Sequence, residues 1–208
     1  MPAPSTDVAF SPAVKAVQTR RGSRDAYARL EAKGGWATKI DANLADFIAG
    51  MRSFYLATAS KDGRPYIQHR GGPPGFLRVL DDYTLAFADF AGNRQYISTG
   101  NLAENPHAMI FLMDYANRRR VKIWGTARVI ENDPSLLEQL MPTEYKARGE
   151  AAILFTVEAW DSNCPQHIPQ MLCAEDVADA VGALKERIAD LEAEVARLRA
   201  SSDEGPRP

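Results

Sequence analysis

Cysteine is nearly absent: Cys164 and Cys173 are the only two in the chain, too few to staple a secreted disulfide scaffold. Neither belongs to a Cys-x-x-Cys pair, and Cys164, His167 and Cys173 make three soft donors without a fourth, so no metal is expected. Long apolar runs are missing as well. The longest, residues 108–113, has the length of a strand, far short of the roughly 20 residues that cross a bilayer. An excess of one charge is also missing, since 25 lysines and arginines face 27 acids for a formal net charge of -2. Such a balance argues against a dedicated nucleic-acid binder, whose footprint is a basic excess, and any anion site must be local. The opening stretch MPAPSTDVAFSPAV carries neither a basic leader nor an apolar core, so the expectation is a cytoplasmic protein without a membrane segment.

What is present is 208 residues, 45% hydrophobic, enough for one domain with a sizeable core and an appendage. Residues 1–52 read as a helical segment packing on the body, 53–168 as the body, 175–200 as a separate helix and 201–208 as a disordered tail. Ser23 or Asp25 can cap a helix through Lys33, and Asp41 or Asn43 another to Met51, with Gly34-Gly35 between them. Seven runs rich in β-branched and aromatic residues follow, at 53–60, 64–70, 76–80, 84–89, 107–114, 119–131 and 153–160. Lys61-Asp62-Gly63 and Asp81-Asp82 are hairpin signals that make neighbours antiparallel. Helices are expected over 93–104 and from Asp133-Pro134-Ser135, where proline takes an early helical position. With no βαβ alternation, the expected class is mainly β with flanking helices, an antiparallel sheet or barrel of six or seven strands.

Residues 175–200 differ in kind, holding seven acids and four bases. Val177, Val181, Leu184, Ile188, Leu191, Val195 and Leu198 recur at spacings of four and three. Valine or isoleucine at the a positions with leucine at d favours a parallel two-stranded coiled coil, and Arg187 with Glu192 and Glu194 with Arg199 form g-to-e pairs in that arrangement. The alternative is an amphipathic helix lying on its own domain.

Four segments can carry chemistry. Residues 87–95 run from a strand through a glycine turn into a helix, with Asn93 and Arg94 beside the unpaired amides of the helix start. That is either a phosphate cradle or an ordinary cap with a solvated arginine. Arg118, Arg120 and Lys122 alternate onto one strand face, which meets an anion or cofactor edge if it lines a cleft and is a solvated strand if it does not. Residues 66–76 place Gln68, His69 and Arg70 at a strand end before a loop of prolines and glycines, through which backbone can approach a flat ligand or merely connect two strands. Residues 160–167 hold Cys164, which can act as a nucleophile with His167 or His69 as base, and its Cys-Pro pair also occurs in haem-responsive segments. His107, at a strand start after Asn105-Pro106, reads as structural.

Taken in order, residues 53–58, Asp62-Gly63-Arg64-Pro65, 70–76, Gly92-Asn93-Arg94-Gln95, 101–106 and 119–125 resemble the pyridoxamine 5′-phosphate oxidase-like family of FMN-binding split β-barrels, over roughly residues 47–167. The resemblance implies a six-stranded antiparallel split barrel and a homodimer with FMN at the subunit interface. It implies a phosphate loop at Asn93, Arg94 and Gln95, reached from Ala88 and Asp89, and a strand along the flavin ring at Gln68, His69 and Arg70. Arg120 takes a ring position usually held by glutamine, Lys122 lies beside it, and Trp160, Asn163 and Cys164 are implied as partner-subunit contacts. Two departures stand out. Gln95 replaces a lysine of the phosphate loop, and Asn163-Cys164-Pro165-Gln166-His167 stands where the true oxidase carries an Arg-x-His substrate clamp. The expected activity is therefore FMN-dependent oxidoreduction of a small molecule other than a B6 vitamer, with His69 and His167 as candidate proton donors. The alternatives are a flavin- or haem-binding sensor without turnover and a deazaflavin (F420)-dependent reductase.

Overall fold

In the computed structural model, which describes residues 3–163 and 165–203 but not the side chains of Asn163 and residues 200–203, two units are distinct. Among the described residues, 3–114 with 118–163 and 165–167 form the first, and 115–117 with 168–203 the second.

The first unit is organised by strand alternation. β1 (Ser53–Ala59) turns alternate residues inward, burying Phe54, Leu56 and Thr58. Gly63, at φ +81°, lets the Lys61-Asp62-Gly63 turn return the chain as β2 (Pro65–Gly71). β3 (Arg78–Asp81) and β4 (Thr84–Phe90) form a second hairpin, β5 (His107–Asp114) and β6 (Arg119–Ile130) a third, and β7 (Gly149–Asn163) pairs with both β6 and β4. All neighbours are antiparallel in one seven-stranded sheet of order β2-β1-β5-β6-β7-β4-β3.

The six-strand expectation is one short, because the four-residue β3 still pairs along the edge of β4. The run expected at 76–80 begins as strand only at Arg78, since Phe76 and Leu77 are spent on the core. With six α-helices among the described residues, the class is mixed α/β rather than mainly β.

The sheet curls. β1 and β4 stand four places apart in the order, about 19 Å in a flat sheet, yet the rings of Phe54 and Phe87 meet edge-on at 5.0 Å. Phe76 stacks on Phe54 at 5.5 Å, and Leu85, Ile110, Leu112, Ile123 and Phe155 complete a single interior. α3 (Ala42–Ala49), capped by Asp41 on Leu44 N–H at 2.8 Å, adds Leu44, Phe47 and Ile48 to that core. On the outer face small residues decide the packing. Ala86, Ala88 and Ala152 let Leu140 of α5 (Pro134–Leu140) sit close against β4 and β7.

The N-terminal segment contains α1 (Pro12–Arg21), opened by the Ser11-Pro12 pair, and α2 (Arg24–Glu31), which ends before Lys33 and takes no side-chain cap from Ser23. Its aromatics form a chain from Tyr27 through Phe10 and Trp36 to Trp124 of β6, the last pair stacked at 4.6 Å. In the glycine-rich loop after β2, Gly72 packs against the core, for a Cβ there would lie 2.6 Å from the Phe76 ring.

In the second unit, Gln170 Nε2 donates to the Ala116 carbonyl at 2.8 Å, and α6 (Ala174–Asp203) opens with Glu175 and Asp176 at its positive end. Residues 201–203, expected in the tail, continue this helix because no breaker occurs before Gly205-Pro206; residues 204–208 lie outside the described residues. No helix among the described residues is long and apolar enough to cross a membrane.

Gly125 sits where the β6–β7 register shifts, and a Cβ there would meet the Thr156 carbonyl oxygen at 1.9 Å. Gly125→Ala should lower the unfolding free energy by about 1–3 kcal/mol through forced displacement of β7. Gly100, on a helix with open space around it, should respond oppositely, Gly100→Ala raising it by about 0.5–1 kcal/mol. Urea unfolding of both variants checks the two signs.

Candidate functional site

Alternation along β2 divides its residues between two faces. Tyr66, Gln68 and Arg70 point into a hollow of about 220 Å³, while Ile67 and His69 are exposed on the other face. Across the hollow lie Asp89 from β4, the loop of residues 92–96, the first turn of α4 (Ile97–Glu104) and Glu150 at the start of β7.

The two walls are joined by an ion pair. Arg70 Nη1 donates to Asp89 Oδ1, with only 10% and 17% of the two side chains exposed, and the guanidinium lies 5.8 Å from the Phe87 ring centroid. The same arginine leaves its Nε buried without a partner. A buried donor that finds no acceptor costs about 1–3 kcal/mol, so this N–H is a place for one.

The 93–96 loop is where the expected helix fails to start. Asn93 Oδ1 accepts from Gln95 N–H at 3.2 Å, a local turn that competes with helix, and Arg94 (φ 59°) and Tyr96 (φ 51°) are both left-handed. The helix therefore begins at Ile97 rather than 93, and no side chain caps it. Ile97, Ser98 and Thr99 of its first turn line the hollow, and the uncapped amides of such a turn are ordinarily free to hold an anion. α4 is fixed from below: Ser98 Oγ donates to Gln68 Oε1 at 2.8 Å, and Asn101 Nδ2 donates to Thr58 Oγ1 at 3.0 Å. Arg94 Nε donates to the Tyr96 hydroxyl at 3.2 Å, which donates to Glu150 Oε2 at 3.3 Å. Tyr96, through that hydrogen bond, and then the Glu150 charge raise the Arg94 pKa above its ordinary value, and a guanidinium is cationic in any case. Arg148 holds the other Glu150 oxygen at 2.7 Å.

Six of the residues expected at the site line one hollow: Gln68, Arg70, Asp89, Asn93, Arg94 and Gln95. The others go elsewhere. Ala88 is buried beneath α5. His69 faces the Tyr55 ring at 5.6 Å, because odd positions of β2 turn outward, and His167 is exposed in a left-handed turn (φ 63°). Lys122 pairs with Asp161 at 3.3 Å and lies over Trp124 at 5.2 Å, and Trp160 Nε1 donates to the Lys39 carbonyl at 2.7 Å. Arg120, on the same face of β6 as Lys122, is likewise not among the lining residues. Cys164 lies outside the described residues, as does the Asn163 side chain. Among the described residues no cluster of three or more histidine, cysteine or acidic side chains can hold a metal.

Tyr66, which opens the 66–76 segment but was given no role, also lines the hollow, as do Tyr96, Ile97, Ser98, Thr99 and Glu150, which were not anticipated. Tyr66 was within reach, since it shares the i, i+2, i+4 face with Gln68 and Arg70. Glu150 carries no motif and arrives only through the β4–β7 pairing, in which Asp89 stands opposite Ala151.

The profile of the pyridoxamine 5′-phosphate oxidase family matches residues 40–164. No curated protein matches the chain. Among solved structures, HupZ of Group A Streptococcus is 17% identical with a TM-score of 0.50, over 64% of this chain and 99% of that one. An FMN-binding protein from Syntrophomonas wolfei is 12% identical with a TM-score of 0.47, over 70% and 97%. General Stress Protein 26 of Bacillus anthracis is 15% identical with a TM-score of 0.43, over 57% and 89%.

Asp89→Asn should destabilise the protein by about 3–5 kcal/mol, because it strands a buried guanidinium. Adding Arg70→Gln should recover part of that loss. Chemical unfolding of the single and double variants measures the coupling, and strictly additive losses would show that the pair does not act as a unit.

Proposed function

The chain belongs to the pyridoxamine 5′-phosphate oxidase family, and from that premise we propose that it binds FMN and acts as an oxidoreductase on a small molecule. The observation that carries this reading is the cradle itself: Arg70, whose buried Nε has no partner, the uncapped first turn of α4 and the cationic Arg94 all line one hollow. A phosphate suits that donor set, since its oxygens accept several hydrogen bonds at once and helix N-termini favour anions. Arg70, Arg94 and the α4 amides would hold the phosphate, with Gln68 and Ser98 shaping the adjacent wall. When bound, the flavin supplies the electron- and hydride-transfer chemistry, and the chain supplies attachment, orientation and exclusion of water.

At about 220 Å³ the hollow is smaller than the roughly 300–1,000 Å³ of sites that enclose a whole ligand. It suits the phosphate end, and the ring end would extend past its mouth. A second copy laid over that mouth would complete the site, as in a homodimer with a flavin at the subunit interface. Arg120, Lys122 and Trp160, which stand away from the hollow of their own chain, would then serve the flavin of the other copy together with Asn163 and Cys164. Neither His69 nor His167 lines the hollow, so neither would hold the phosphate. The substrate would not be a B6 vitamer, since residues 163–167 lack the arginine-and-histidine clamp.

The absorbance spectrum of the purified protein, followed by heat release and chromatography, tests the cofactor. FMN at about one per chain is expected from one cradle per chain. Released F420, or a Soret-dominated spectrum, would overturn the FMN assignment in favour of a deazaflavin reductase or a haem protein. Arg94→Ala should weaken FMN binding roughly 10- to 150-fold, while riboflavin, which has no phosphate, should change little. Fluorescence titration with both ligands checks this, and an equal loss for the two would remove Arg94 from the phosphate contact.

A further inference from the structure

Val177, Val181, Leu184, Ile188, Leu191 and Val195 on α6 are each 42–63% exposed. They fall on one stripe of the helix, at the a and d positions of a heptad repeat. Ile188, Leu191, Val195 and Ala196 line a shallow hollow on the helix surface, with the charged side chains of Glu192 and Arg199 also lining it. A stripe of this length, exposed in water, marks a surface that binds something. The charges beside it decide what. From these we infer that α6 is one strand of a parallel, in-register two-stranded coiled coil whose other strand is α6 of a second copy of this chain.

Three features select that occupant. The seam has Val181, Ile188 and Val195 at a and Leu184 and Leu191 at d, the combination that fits two parallel strands. In a parallel pair the g residues Arg187 and Glu194 face the partner's e residues Glu192 and Arg199, so every charged g meets its opposite, twice over by symmetry. In an antiparallel pair with Ile188 opposite Leu191, e residues face e residues. Glu192 would then meet Glu192, and Lys185 would meet Arg199, both like-charged. The outward positions support the helix without competing for partners: Ala183, Ala189, Ala193 and Ala196 are strong helix formers. Two and a half heptads are marginal as isolated strands, so the pairing depends on concentration and is reinforced by any other contact between the same two chains. The inference does not depend on the flavin assignment.

Cross-linking in the full chain tests orientation and occupant together, in a Cys164→Ser, Cys173→Ser background that retains no native thiol. Under mild oxidation Val181→Cys should form a covalent dimer by itself, because residue 181 faces residue 181 only in a parallel in-register pair. An antiparallel pair holds those two residues roughly 25 Å apart and would instead join Leu184→Cys of one copy to Val195→Cys of the other. That result, or no cross-link in any combination while circular dichroism shows the helix intact, overturns the proposal; the last would mean a helix that packs on its own chain or on nothing. Arg187→Glu should reduce the Val181→Cys dimer about fivefold, as two opposed surface pairs of ordinary strength would. Arg187→Glu with Glu192→Lys should restore it. A yield indifferent to both changes would mean that the helices meet without this seam, and would equally refute it.

Discussion

The curl of the sheet is what the rest of the first unit depends on, and one ion pair sits at its seam. β2 lies at one edge, and β4 is next to the other. Unrolled, they would stand about 24 Å apart, beyond the reach of any side chain. Arg70 and Asp89 nevertheless touch, so the two margins of the sheet have been brought together around the Phe54–Phe76–Phe87 core. Burial supplies most of that closure, since the aromatic interior is what a flat sheet would leave in water. The ion pair contributes less to net stability than to register. It fixes which residue of β2 faces which residue of β4, and a buried pair with one member removed is far worse than no pair at all.

Closure also creates the site. The hollow exists because β2, β4, β7 and α4 converge where the margins meet, and Arg70 belongs to both structures at once. One of its Nη atoms holds Asp89 while its Nε remains unsatisfied. The left-handed Arg94 and Tyr96 add strain beside it, of the kind that persists only where surrounding structure over-determines the backbone. Here the over-determination is visible. α4 is tied to β1 through Asn101 and to β2 through Ser98, and Tyr96 is tied to β7 through Glu150.

Much of this was legible in the chain before any coordinates. Strand periodicity, the Lys61-Asp62-Gly63 turn and the Asp133-Pro134 helix start are local signals, and local signals specify elements well. The order of short motifs carried the family, and with it the cradle residues Gln68, Arg70, Asp89 and Arg94. Three features escaped that reading, and only the last of them is non-local. The start of α4 depended on whether Asn93 capped a helix or closed a turn on Gln95, and the sequence permits both. The inward or outward sense of β2 was within reach by alternation, but reading Gln68, His69 and Arg70 as one block obscured that His69 must face away from its neighbours. Glu150 could not have been found at all without the pairing of β7 to β4.

The acids in the hollow bear on how such a cradle can recognise an anion. Arg70 and Arg94 are matched by Asp89 and Glu150, so the lining carries no net formal charge and its long-range field is weak. In the proposed phosphate reading, recognition would therefore rest on short-range geometry: the unpartnered Nε of Arg70, the uncapped start of α4 and an Arg94 already oriented by Tyr96. A field-driven site, by contrast, draws in any anion and loses it as salt rises. A geometric site discriminates by where the acceptor oxygens sit, and the carboxylates sharpen that choice by repelling anions that cannot reach all the donors together. The whole-chain charge of -2 is thus no obstacle to phosphate recognition. On that reading a few fixed donors, held in place by the curl of the sheet, would decide what binds, whatever the net charge of the chain.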